Sequence, residues 1–74
     1  MKLSKAKSKK LRNQLPNNWS ELIQERLKSK GHVVSESYIR LVIYGQRWSQ
    51  EIIEEAIKLK EEHQAYIQEL KNRI

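Results

Sequence analysis

The chain has 74 residues, of which 38% are hydrophobic, with no Phe, no Cys and a formal net charge of +6 at pH 7. A chain of this length forms at most one small domain, with a core near the lower size limit for independent stability. The lack of Cys excludes disulfides and thiolate metal sites. No apolar run reaches the roughly 20 residues that span a bilayer, and the first residues do not resemble a signal peptide. The composition therefore predicts a soluble cytoplasmic protein that is stabilised by good helices or by oligomerisation.

The positive charge is concentrated at the amino terminus. Residues 1–12 contain six basic residues and no acidic one, whereas residues 49–74 contain four basic and six acidic ones. Because residues 1–14 include only Leu3 and Leu11 as large apolar side chains, we expect a basic flexible arm that cannot offset its ordering entropy. Such an arm is suited to contacts with DNA phosphates, with minor-groove insertion as a refinement and a solubilising tail as the alternative.

The first predicted helix follows Pro16 and runs from about Trp19 to Lys30. Asn18 is the expected N-cap, and Glu21 follows it at the spacing of a capping box. Gly31 is the expected stop. The side chains that share its inner side are Trp19, Leu22, Ile23, Arg26 and Leu27.

A short helix over residues 35–45 is the second element. Ser35 is a good N-cap, and Gly45 can adopt the left-handed conformation that ends a helix. The residues at i, i+3 and i+4, which predict its buried side, are Ile39, Val42 and Ile43.

The outward side of this second helix carries an unusual set of side chains. Two tyrosines, an arginine and a leucine suit the DNA major groove better than a solvated surface, although an ordinary surface helix is the alternative. We therefore predict a recognition helix, with Lys28 and Lys30 at the preceding turn contacting phosphates. The predicted DNA-binding residues are Lys28, Lys30, Ser35, Glu36, Ser37, Tyr38, Arg40, Leu41, Tyr44 and Arg47.

A long third helix is predicted from Gln50, after the N-cap Ser49, to about Asn72. Ile53 and Ile57 should pack under the first two helices. The later apolar residues follow the alternating spacing of a coiled-coil seam and extend beyond what two short helices can cover. We expect a homodimer interface, the alternatives being a frayed end or one folded back on the first helix. Its predicted residues are Leu59, His63, Tyr66, Ile67, Leu70 and Ile74.

The pattern Val34-Ser35-x-x-Tyr38-Ile39-x-x-Val42-Ile43-x-Gly45, followed by a helix from Ser49, resembles lambda-repressor-like helix-turn-helix domains of the Cro and lac-repressor type. The resemblance covers about residues 18–58. It implies base contacts from Glu36, Ser37 and Leu41, and phosphate or groove-wall contacts from Tyr38, Arg40 and Tyr44. Two features depart from the family: Gln24 replaces the usual Ala, and the turn at residues 28–34 is longer.

Together these patterns predict an all-α protein, a helix-turn-helix bundle of three helices with a long C-terminal helix. The domains are a basic arm at 1–14, a DNA-binding domain at 15–58 and a dimerisation extension at 59–74. The expected function is sequence-specific binding of double-stranded DNA as a homodimeric transcriptional regulator of phage or bacterial type. Such a regulator is expected to be nucleoid-associated. The alternatives are a protein-interaction or antitoxin-like module working through its long helix and, less favoured, an RNA-binding protein. With no Asp, no Cys and no Gly-rich loop, we expect no enzyme activity, no metal and no cofactor.

Overall fold

The computed structural model describes residues 2–74, and these residues form four helices and no strand. The helices are α1 (Lys5–Gln14), α2 (Trp19–Ser29), α3 (Glu36–Ile43) and α4 (Gln50–Arg73). The predicted all-α class is confirmed, and α2, α3 and α4 match the three predicted helices. The additional helix α1 was not predicted. Met1 lies outside the described residues.

The core lies where α2 and α3 cross the first half of α4. Ile23 of α2 and Ile39, Val42 and Ile43 of α3 are 0% exposed. The predicted buried stripe of α3 is therefore confirmed, and it fixes the rotation of this helix about its own axis. The core residues contributed by α4 are Ile52, Ile53, Ala56 and Leu59.

Helix α1 replaces the flexible arm that was expected at residues 1–14. The Ser4 hydroxyl caps it by accepting a hydrogen bond from the Lys7 backbone N–H at 3.2 Å. Ser8 and Leu11 are buried, and the Ser8 hydroxyl donates to the carbonyl oxygen of Ile43 at 2.6 Å. This buried hydrogen bond compensates for the short apolar stripe and fastens α1 to the end of α3.

The two glycines lie just beyond the ends of helices, as predicted. Gly31 and Gly45 have φ of +87° and +85°, which L-residues rarely adopt. The Ser35 hydroxyl accepts from the Tyr38 N–H at 3.1 Å, so the predicted cap of α3 is confirmed. Asn18 and Ser49 occupy the predicted N-cap positions, but neither side chain makes a capping hydrogen bond.

A hydrogen bond from the Gln24 side chain holds the long turn before α3. The Gln24 side chain donates from Nε2 to the carbonyl oxygen of Val34 at 3.0 Å. An alanine at this position would leave the carbonyl without this partner. The amide side chain and the longer turn thus accompany one another.

A buried glutamate joins α2 to α4. Glu55 is 3% exposed and binds the Lys30 ammonium, while Arg26 Nη1 and Lys58 Nζ lie 3.9 and 3.8 Å from its carboxylate. The hydrogen bond with Lys30 lowers the pKa of Glu55 against the opposing effect of desolvation. The same bond raises the pKa of Lys30 above its ordinary value. The phosphate contact by Lys30 stays a prediction: its side chain is 51% exposed, and its ammonium is paired with Glu55 within the fold.

The second half of α4 leaves the body of the protein. Leu59, predicted to lie in the dimer interface, is only 6% exposed and belongs to the chain's own core. His63 is half-buried and lines a shallow groove with Asn13 and Gln14 of α1. The exposed apolar residues of this half are Tyr66 (59%), Ile67 (37%), Leu70 (41%) and Ile74 (105%).

Candidate nucleic-acid interface

The outward face of α3 is held in place by the burial of its opposite side. Leu41 and Tyr44 are 37% and 47% exposed, and the Arg40 side chain is 51% exposed. Ser37 is exposed near the beginning of the helix. These side chains form one accessible surface, as the sequence predicted, and their chemistry combines hydroxyl, guanidinium and apolar groups.

Tyr38 differs from the other predicted contacts because it is half-buried. Its ring packs against the hydrophobic core, and it lies beside Ile39 in the first turn of α3. Tyr38 therefore contributes to the docking of α3, with only part of its side chain accessible.

A polar network at the beginning of α2 engages the predicted residues Glu36 and Arg40. The Ser20 hydroxyl donates to Glu36 Oε1 at 3.1 Å, and Arg40 Nη2 lies 3.5 Å from Ser20 Oγ and 3.7 Å from Glu36 Oε1. The network holds the Arg40 guanidinium near the start of α2. Because the Arg40 and Glu36 side chains are 51% and 39% exposed, a phosphate can compete with Glu36 for Arg40.

Arg12 of α1 extends this surface beyond α3. Its guanidinium carbon lies 4.3 Å from the centroid of the Tyr44 ring, and the Trp19 ring lies 6.3 Å from the Tyr44 ring at 60°. Arg12 Nε is buried without a hydrogen-bond partner among the described residues. Three helices thus meet at Tyr44: α1 through Arg12, α2 through Trp19 and α3 through Tyr44 itself.

The role of Arg12 was missed because residues 1–14 were expected to lack structure. A signal was present in the spacing, since Lys5, Lys9 and Arg12 stand at i, i+4 and i+7 and so share one face of a helix. Lys5 and Lys9 are exposed. The face that begins at Arg12 therefore continues as a row of positive charge along α1.

The turn before α3 is less positive than expected. Lys28 is exposed, but it lines a groove together with three glutamates, Glu21, Glu25 and Glu36. Lys30, on the other side of the turn, is bound to Glu55. The positive charge beside α3 consequently comes mainly from α1.

Two further predicted residues lie at the ends of α3. Ser35 uses its hydroxyl as the helix cap. Arg47 is exposed just after Gly45, and among residues 2–74 its guanidinium donates only to the neighbouring Gln46 carbonyl, at 3.3 Å. Arg47 therefore remains accessible to a partner.

Among the 73 residues that the structure describes, no group of three His, Cys, Asp or Glu side chains is placed to hold a metal ion. None of the described helices is both long and apolar enough to cross a membrane. Comparisons with protein-family models, with curated proteins and with solved structures find no match for this chain.

Proposed function

We propose that this protein binds double-stranded DNA and acts as a transcriptional regulator, with α3 in the major groove. The observation that carries the proposal is the convergence of Arg12, Arg40 and Tyr44 on one exposed surface made by two helices. Guanidinium groups pair with phosphates and with guanine edges, and a tyrosine hydroxyl donates to phosphate oxygens.

The dimensions of α3 suit this role. An α-helix with its side chains is about 10–12 Å across, and the major groove is about 12 Å wide, so α3 fits into it. Ser37 and Leu41 then face base edges, the hydroxyl as a hydrogen-bonding group and the leucine against a thymine methyl. Arg40 and Tyr44 lie towards the groove wall, and the Lys5, Lys9 and Arg12 face of α1 lies along the flanking phosphates.

The proposed assembly is a homodimer formed through the exposed end of α4. In an antiparallel pairing of two such ends, Glu61 and Glu62 of each copy approach Lys71 and Arg73 of the other, while the apolar side chains meet between them. Such symmetry calls for a roughly palindromic site with half-sites about one helical turn apart. Sedimentation of the full chain and of a Leu70→Glu variant tests the pairing. A monomeric wild-type chain at high concentration would contradict it.

The central test measures binding to a random duplex pool and to duplexes selected from it, at several salt concentrations. Arg40→Ala should weaken binding to all sequences and reduce the slope of log K against log salt by about one phosphate contact. Lys58→Ala, which removes an equal charge on α4 and outside this surface, is the matched control. Equal effects of the two variants would contradict the placement of α3 in the groove. The absence of duplex binding by the wild-type chain would contradict the function itself.

A further inference from the structure

A groove of about 280 Å³ runs between α1 and α4, away from Tyr44. Ile53 and Ile57 of α4 form much of its floor, and Ile57 is 39% exposed there. Leu3, which precedes α1, also lines it. The lining residues are Leu3, Lys7, Lys10, Leu11, Gln14, Ile53, Ile57 and Lys60.

The rim of this groove is positive throughout. Lys7 and Lys10 stand on the α1 side and Lys60 on the α4 side, and no carboxylate lines the groove. Within residues 2–74 none of these three lysines takes part in an ion pair, although Lys30, Lys58, Arg26, Arg40 and Arg73 all do. An adjoining groove, which shares Gln14, adds Lys71 and likewise has no carboxylate.

This surface is separate from the proposed DNA-binding face. Lys7 and Lys10 line the groove beside α4, whereas Arg12 contacts the Tyr44 ring. Since each residue turns a helix by about 100°, Lys5 and Lys9 fall on the same side as Arg12 and Lys7 and Lys10 on the α4 side. The basic residues of α1 are thus divided between two faces of one helix.

We propose that this groove docks an acidic amphipathic segment of another protein. Leucine or isoleucine side chains of the segment cover Ile53 and Ile57, and its carboxylates pair with Lys7, Lys10 and Lys60. A nucleic-acid backbone offers phosphates to the rim but no apolar side chain for the floor. A second copy of this chain is disfavoured because residues 60–74, the exposed end of its α4, carry three basic and three acidic residues and so bring no net negative charge to the lysines.

The test uses the full chain and a fluorescein-labelled 18-residue peptide of Leu and Glu with the apolar residues at helical spacing. Fluorescence anisotropy compares the wild type with Lys7→Glu/Lys10→Glu and with Lys5→Glu/Lys9→Glu, which make the same charge change on opposite faces of α1. We expect the first variant to lose about tenfold or more in affinity, since like charges then face each other across the contact. The second should change by about twofold, through long-range charge alone. Ile57→Ser should lower the affinity for the peptide several-fold, although it leaves both pairs of lysines unchanged.

Four results would overturn the proposal. Two concern the Leu/Glu peptide itself: no binding to the wild type, or an equal loss of affinity in the two double variants. The others are equal affinity for a Leu/Lys peptide, and displacement of the labelled peptide by unlabelled duplex DNA that competes for the same lysines. Sedimentation supplies a fifth, because self-association that is lost only in Lys7→Glu/Lys10→Glu would assign the groove to a second copy. Duplex binding is measured in parallel. Loss of duplex binding in Lys5→Glu/Lys9→Glu alone supports the proposed function independently, so either idea can fail while the other stands.

Discussion

Two glycines with nearly identical φ angles allow a test of how the amino-terminal segment packs against the end of α3. Gly31 and Gly45 have φ of +87° and +85°. A Cβ at Gly31 would have no atom within 4 Å, whereas a Cβ at Gly45 would collide with the carbonyl oxygen of Leu3. The pair Gly31→Ala and Gly45→Ala therefore shares its backbone strain and differs in the contact with Leu3.

The expected magnitudes follow from these surroundings. Left-handed backbone costs an L-residue about 1–2 kcal/mol, and the stiffer unfolded chain returns about 0.4–1 kcal/mol. Gly31→Ala should therefore destabilise the protein by about 1 kcal/mol. Gly45→Ala should also displace Leu3, which is half-buried against the core. Since full burial of a leucine contributes about 1.5–3 kcal/mol, the extra loss is about 1 kcal/mol.

Urea denaturation followed by far-ultraviolet circular dichroism measures both free energies of unfolding. The excess loss in Gly45→Ala should disappear in a chain that lacks residues 1–3 and begins at Ser4, because the opposing Leu3 carbonyl is then gone. Equal losses for the two variants in the full chain would refute the docking of Leu3 on the end of α3. So would an excess that persists after the deletion.

Three further predictions concern α1 and the buried glutamate. Ser8→Ala should lower the free energy of unfolding by about 1–2 kcal/mol, because it leaves the Ile43 carbonyl buried without its partner. Ser29→Ala, which removes an exposed hydroxyl, should change this free energy little. Urea denaturation of both variants checks the difference. The ion pair of Glu55 with Lys30 should stabilise the protein fully above the ordinary carboxyl pKa of 4.5, and this stability should be lost as the pH falls through the lowered pKa of Glu55. At the alkaline end it should be lost as the pH rises through the pKa of Lys30, which is raised above 10.5. Glu55→Gln should flatten both limbs of a pH–stability curve, and an unchanged acid limb would contradict the pairing. Arg12→Ala should weaken duplex binding on every sequence and reduce its salt dependence by about one contact, while Lys10→Ala should have a smaller effect in the same titration.

Helices α2, α3 and α4 were predictable because the residues that begin, bury and end each helix lie close together in the sequence. Ser35, the stripe of Ile39, Val42 and Ile43, and Gly45 specify α3 within eleven consecutive residues. The exposure of Arg40, Leu41 and Tyr44 follows directly, since a helix that buries one side must present the other.

Helix α1 was not predictable from the same kind of pattern. It buries only Ser8 and Leu11, and the hydrogen bond that fastens it joins positions 35 residues apart. Without that partner the segment reads as a charged, weakly apolar stretch. Its composition is that of a disordered segment, while its docking depends on a backbone acceptor at the end of another helix.

The candidate site was predictable in part for a related reason. The Lys30 ammonium is paired with Glu55, which lies 25 residues further along the chain. Arg12 joins the site only because α1 places it over the Tyr44 ring. The pairing of Lys30 and the position of Arg12 both depend on contacts between residues far apart in the chain. Sequence spacing therefore predicted the exposed face of α3 but not the charged residues around it.

The hydrogen bond from Ser8 to the Ile43 carbonyl, which fastens α1 to α3, also affects how the protein would bind a polyanion. A free arm loses about 1–2 kcal/mol of backbone entropy per residue when it is ordered on a ligand. The ten residues of α1 undergo this loss during folding, so Lys5, Lys9 and Arg12 arrive as a rigid array. Association should then proceed with little gain in helix content, and the amide protons of α1 should be protected from exchange before any duplex is added.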